Sequence, residues 1–178
     1  MRLIALLLLA LLAAPQAAAA PSAPAAPADT SATTTVILVR HAEKNPHPSG
    51  GDAGLAVAGL VRSFELARVV ADAGVRVVYV SQFGRARLTG EPVAAAIGDT
   101  VRVFDANRND LLAERIRAEH AGSTVLVVGH GDSVPLLIEA LCGERTPESL
   151  EYDRLFVLTL GPGKAHRLLR LRYGAKPG

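Results

Sequence analysis

Apolar residues fall along the chain in short blocks whose period changes from one block to the next. Val36 to Val39 is an unbroken β-branched and aliphatic run, the pattern of a strand buried on both faces. A loop rich in Gly, Pro and Asn spans Asn45 to Gly54, after which Leu60, Phe64, Ala67 and Ala71 recur at helical spacing until Gly74, predicting a helix over Gly59 to Ala73. The same reading predicts strands at Val75 to Val80, Val101 to Phe104 and Thr124 to Val128, and helices at Arg85 to Ile97, Asp110 to His120 and Val134 to Cys142. Leu155 to Leu160 and Leu168 to Tyr173 form two last strands, spaced to pair as a hairpin across Gly161, Pro162 and Gly163. Strand and helix in alternation specify an α/β fold, a three-layer sandwich with a mainly parallel central sheet flanked by helices.

The N-terminal block does not fit this scheme. Met1 and Arg2 lead into 12 uncharged residues, Leu3 to Ala14, followed by Pro15 and the small-residue tract Ala17 to Ala20. A basic start, a short apolar core and small residues make a secretory signal peptide, too short to span a bilayer comfortably as a permanent helix, which takes about 20 residues. Residues 1–20 are therefore expected to be a signal peptide, residues 21–33 a flexible linker of Ala, Pro and Thr, and residues 34–178 one folded domain. The expected location is exported, periplasmic or secreted, with no membrane span once the signal is cleaved.

Composition narrows the chemistry. One Cys in 178 residues permits neither an internal disulfide nor a Cys-built zinc site. The net charge is only +2 and the 19 cations are scattered, so nucleic acid is not the expected partner. No cofactor or metal is expected. His41 and His47 have no carboxylate or Cys at ligand spacing, and Cys142, on an apolar helix, lacks a basic neighbour to activate it. His47, His120 and His166 read as loop, helix-end and surface residues, and Arg102, Arg115 and Arg117 as a solvated face.

What remains lies at strand ends. Ligands of open α/β sheets bind beyond the carboxyl ends of the strands. The first strand ends in Arg40-His41, the second in Ser81 followed by Arg85, and the fourth in Gly129-His130. In parallel strands these two His and two Arg converge on one rim, although 89 positions separate His41 from His130. Clustered cations repel one another, and a polyatomic anion relieves that repulsion. Arg offers planar forks that match phosphate oxygens, and an imidazole nitrogen can attack phosphorus.

The run Val36 to Lys44, with Arg40-His41 at its centre, resembles the Arg-His signature of the histidine phosphatase superfamily, which has the phosphoglycerate mutase-like fold. Leu55 to Gly59 with Arg62 is similar to that family's L-T-x-x-G-x-x-R-A segment, Ser81 to Thr89 to its S-x-x-x-R-A-x-x-T motif, and Gly129 to Pro135 to its G-H-S-N-T-V-P block. The order is the family's, and the likeness spans residues 34 to 173.

The resemblance implies a metal-independent phosphatase acting on a small phosphorylated substrate. His41 would be the nucleophile that forms a phosphohistidine. Arg40, Arg85 and His130 would hold the phosphoryl oxygens, with Ser81 and Asp132 also placed for substrate binding. A general acid is needed at the leaving oxygen; Asp105 is the first candidate, Asp132 its rival and Glu43 the third. Ala56, Gly90 and Gly131-Asp132-Ser133 depart from the family pattern without touching the two His and two Arg. The loop Asn45 to Gly54 and the segment Asp105 to Asp110 are expected to line the specificity pocket.

A phosphomutase is disfavoured, since that branch resembles longer chains with inserted segments. Phosphohistidine phosphatases are similarly short but cytosolic, whereas members acting on phosphorylated lipopolysaccharide sugars are exported. The other class left open is a non-catalytic phosphate- or partner-binding module on the same fold, against which the retention of a nucleophilic His counts.

Overall fold

A computed structural model describes residues 33–47, 51–146 and 150–177. The signal peptide and all of the linker except Thr33 lie outside the described residues. Ten elements follow in the predicted order: β1 (Thr34–Arg40), α1 (Val57–Val69), β2 (Val75–Ser81), α2 (Gly84–Ala96), β3 (Arg102–Phe104), α3 (Asn109–Glu119), β4 (Thr124–Gly129), α4 (Ser133–Cys142), β5 (Arg154–Leu160) and β6 (His166–Arg172). No helix among the described residues is long and apolar enough to cross a membrane.

One six-stranded sheet runs in the order β3-β2-β4-β1-β5-β6. The pairs β1–β4, β2–β4 and β2–β3 are parallel, while β5 joins β1 antiparallel and closes the predicted hairpin with β6. Alternate strand residues feed two cores. Val36, Leu38, Tyr79, Val125 and Val127 pack under α3 and α4; Ile37, Val39, Val78, Val80, Leu126 and Val128 pack under α1 and α2. Hence the unbroken apolar runs of β1, β2 and β4, which are covered on both faces, whereas the edge strands β3 and β6 are largely exposed.

α1 turns the predicted stripe outward. Leu60 and Phe64 are exposed, and the helix buries Gly59, Arg62, Ser63 and Leu66 instead. The cause is a close approach: a Cβ at Gly59 would lie 2.3 Å from the Glu43 carbonyl oxygen, so only glycine lets α1 seat against the chain leaving β1. Gly90 plays the same part in α2, where an added Cβ would meet Val80 at 2.6 Å and Val78 at 3.1 Å. Arg102, Arg115 and Arg117 are exposed as expected, and Arg117 also donates to the carbonyls of Ala140 and Leu141 at the end of α4.

Candidate active site

Strand register builds the site. Arg40 pairs with Gly129 across β1 and β4, so the next residues, His41 and His130, emerge side by side one strand spacing apart. The His41 amide donates to the Gly129 carbonyl at 2.8 Å, and the imidazole centroids lie 5.0 Å apart, edge to face. β2 lies on the other side of β4 and delivers Ser81, and α2 starts three residues later with Arg85 on its first turn.

Both imidazoles are buried and fixed in orientation. His41 Nδ1 lies 2.7 Å from the Ala42 carbonyl, which can only accept, so the proton sits on Nδ1 and Nε2 presents its lone pair. Arg85 Nε donates to that Nε2 at 3.2 Å. Arg85 Nη2 faces His130 Nδ1 at 3.5 Å, which leaves His130 Nε2–H to donate to Ser81 Oγ at 2.7 Å. Burial holds His41 at about 4 despite its bond to the Ala42 carbonyl, with the neighbouring His130, Arg85 and Arg40 acting in the same direction. Burial, then the charge of Arg85, also holds His130 at about 4. Each ring is therefore neutral at ordinary pH.

The flanking motifs set this geometry. Thr89 is fully buried; its Oγ1 accepts the Ala42 amide at 3.0 Å and donates to the Arg85 carbonyl at 2.7 Å, linking the two chain segments that carry His41 and Arg85. Ser133 Oγ accepts the His130 amide at 2.8 Å. A Cβ at Gly129 would stand 2.8 Å from that oxygen, so the glycine is required there.

Arg40 lies with its guanidinium carbon 4.0 Å from the Tyr152 ring centroid, and its Nη1 donates to the Leu150 carbonyl at 2.5 Å. Its Nε is buried with no partner among the described residues. Arg85 stacks on Phe83 at 4.4 Å. Together with Lys44, Ala106, Asn107, Asn109 and Asp132, these groups line a cavity of about 650 Å³, much larger than a phosphoryl group. Two guanidinium groups, Lys44 and one carboxylate make it a net cationic pocket whose wall includes the unprotonated Nε2 of His41.

Of the predicted site residues, Arg40, His41, Arg85, His130 and Asp132 line the cavity. Three do not. Ser81 is buried behind His130 and orients that ring rather than reaching a ligand. Asp105 is exposed and turned onto its own loop, accepting the Asn107 amide at 2.9 Å. Glu43 is bound to Arg62 at 2.6 Å. Asp132 is thus the carboxylate the cavity offers, and its side chain accepts the Ser133 amide at 2.8 Å as the N-cap of α4. The segment after β3 contributes Ala106, Asn107 and Asn109 as expected, but no described residue of the loop Asn45 to Gly54 lines the cavity. Sequence reasoning missed Phe83, Tyr152 and Leu150, which hold the guanidinium groups, and Asp52, whose carboxylate lies 3.6 Å from Arg85 Nη1.

The model of the histidine phosphatase superfamily (branch 1) matches residues 36–110, a span that contains Arg40, His41 and Arg85, with His130 supplied from beyond it by β4. No curated protein sequence matches the chain. Among solved structures, the protein histidine phosphatase SixA complexed with tungstate is 21% identical, with a TM-score of 0.65 over 78% of this chain and 96% of its own. A Nakamurella multipartitia protein bearing the name phosphohistidine phosphatase SixA is 24% identical, with a TM-score of 0.61 over 83% of this chain and 100% of its own. Mycobacterial glucosyl-3-phosphoglycerate phosphatase is 15% identical, with a TM-score of 0.63 over 76% and 97%. These likenesses establish the fold as phosphoglycerate mutase-like, and over residues 36–110 the chain is similar to the histidine phosphatase superfamily (branch 1).

Proposed function

We propose that the protein is a phosphatase that hydrolyses a phosphomonoester through a phosphohistidine on His41, without a metal ion. The observation that carries this reading is the unprotonated His41 Nε2, set by the Ala42 carbonyl on Nδ1 and flanked by Arg85 and His130 in the cavity wall. Nε2 attacks phosphorus as the bond to the leaving oxygen breaks, and that oxygen takes a proton from the Asp132 carboxyl. Arg40, Arg85 and His130 bear the charge on the equatorial oxygens. Water then attacks the phosphohistidine, Asp132 takes its proton, the N–P bond breaks and inorganic phosphate leaves. Neutral imidazoles suit both parts, since a protonated His41 has no lone pair to offer.

The leader pattern of residues 1–20 supports an exported enzyme, which would meet phosphorylated compounds outside the cytoplasm. The test is hydrolysis of a generic aryl phosphate, with and without chelator, by the protein and by His41→Ala. Turnover that survives chelation and vanishes in the variant is expected. Phosphate binding with no turnover would replace the enzyme reading by a binding module, and loss of activity on chelation would overturn the metal-free mechanism.

A further inference from the structure

Asp52 belongs to the loop between β1 and α1, yet its carboxylate is spent 32 residues downstream. The Gly84 amide donates to Oδ2 at 2.5 Å, and Oδ1 lies 3.6 Å from Arg85 Nη1. Three features make this a fitted contact. The loop is pinched at its base by the Lys44–Leu55 bridge and by the Asn45 amide on the Gly54 carbonyl at 2.9 Å, which confines Asp52 to a short span above α2. α2 lacks a cap of its own: Phe83 at the N-cap position offers no acceptor and the first turn contains no acid, so Asp52 fills a role that a local Ser or Asp usually takes. Finally, a Cβ at Gly84 would lie 2.9 Å from Oδ2, so glycine leaves room for the carboxylate.

Arg85 is then held from four directions. Phe83 packs on its face, Asp52 meets Nη1, and Nε and Nη2 point at His41 and His130. A guanidinium on a flexible stem loses less freedom on binding an anion when its plane is already set. We propose that Asp52 is a positioning residue for catalysis: it fixes Arg85 from outside the cavity, so that the edge carrying Nε and Nη2 faces the phosphoryl position. This rests on the phosphatase reading and assigns Asp52 no contact with substrate. As an ion pair open to solvent, it contributes little to stability, and its effect belongs in substrate affinity.

The experiment compares the full protein with Asp52→Ala, Gly84→Ala and the double variant, reading KM and kcat for an aryl phosphate, the affinity for inorganic phosphate by calorimetry, and the melting temperature. The expected result is a KM about fivefold to tenfold higher in Asp52→Ala and phosphate affinity lower by the same factor, with kcat within about twofold and Tm within a few degrees. Gly84→Ala reproduces this by displacing the carboxylate, and the double variant is no worse than either single one, as two changes to one contact require. Unchanged phosphate affinity with a lowered Tm would reduce Asp52 to a helix cap and overturn the proposal. Tighter phosphate binding in Asp52→Ala would also overturn it, making Asp52 a competing anion. Should the wild type bind phosphate without turnover, the phosphatase reading fails while the calorimetric comparison still decides the role of Asp52.

Discussion

Two arginine clusters lie on either side of the short turn from His41 to Glu43, and they are built on opposite rules. On one side Arg62, buried on the inward face of α1, has its donors taken up: Nε lies 3.0 Å from both Glu43 carboxylate oxygens, Nη2 donates to Glu43 and the Ala175 carbonyl, and Nη1 to the Tyr173 carbonyl. On the other side Arg40 keeps a buried Nε without a partner among the described residues, and Arg85 spends its Nε on a neutral imidazole, with its nearest carboxylate 3.6 Å away. The side chain is the same and only the supply of acceptors differs. A saturated guanidinium ties the C-terminal segment to the turn that carries His41. Guanidinium groups left short of acceptors retain donors that suit an anion, as the proposed phosphatase reading requires.

Substitution on the two sides should therefore separate activity from stability. The largest expected effect is in the cavity: Arg40→Ala or Arg85→Ala loses about 10²–10³ in kcat, the usual loss when one donor to transition-state charge is removed. Its melting temperature should fall less than that of Arg62→Ala, since neither change leaves a largely buried carboxylate unpaired; an equal or larger drop in Tm would break the contrast. Next is Arg62→Ala, expected to cost about 3 kcal/mol of unfolding free energy by denaturant titration, because it strands the largely buried Glu43. Activity measured well below its Tm should stay within about tenfold.

The pH dependence sharpens the same contrast. His41 and His130 sit at about 4 in the folded protein, below the ordinary imidazole value of about 6.5. Between those values the unfolded chain binds more protons, so stability is fully present above about pH 6.5 and declines as pH falls toward 4. Melting curves across that window should show the decline, and His130→Ala should flatten it. Glu43 acts lower on the scale. Burial pushes its carboxyl up, but the hydrogen bonds from Arg62 outweigh this and hold it below the usual value, so its contribution is present above about pH 4.5 and lost on further acidification.

The smallest effect concerns the start of the helix that delivers Arg62. Ala56 is its N-cap, extended at φ −72° and ψ 169° and with no side-chain bond. Ala56→Thr should add about 1 kcal/mol of stability with kcat/KM unchanged, read by thermal melting and the aryl phosphate assay.

Much of this was legible in the chain itself. The ten elements follow from apolar period and Gly or Pro punctuation, because the inner strands β1, β2 and β4 are buried on two faces and each helix ends against a turn. The two His and two Arg were legible because they sit at the ends of strands whose parallel order the pattern implies. The face of α1 was not, since its contact side is made of Gly59, Arg62 and Ser63, where close approach rather than apolar bulk decides orientation. Nor were the partners of the arginines. Arg62 reaches Glu43 across 19 positions and the C-terminal carbonyls across more than 100, Arg40 reaches Leu150 across 110, and Asp52 caps a helix 32 residues on. Such contacts carry no local period. The same limit applies to the candidate acids: Asp105 follows a strand toward the rim, but its carboxylate folds back onto the Asn107 amide, while Asp132 stays in the cavity wall.

The central claim is that His41 Nε2 takes the phosphoryl group. Its most direct test is to mix the protein with excess aryl phosphate, quench within the first turnover, and measure phosphate bound covalently to the chain and the residue that carries it. The account predicts phosphate on His41 that is labile in acid and stable in base, and none in His41→Ala. Turnover with no covalent phosphate, or phosphate carried on another residue, would contradict it.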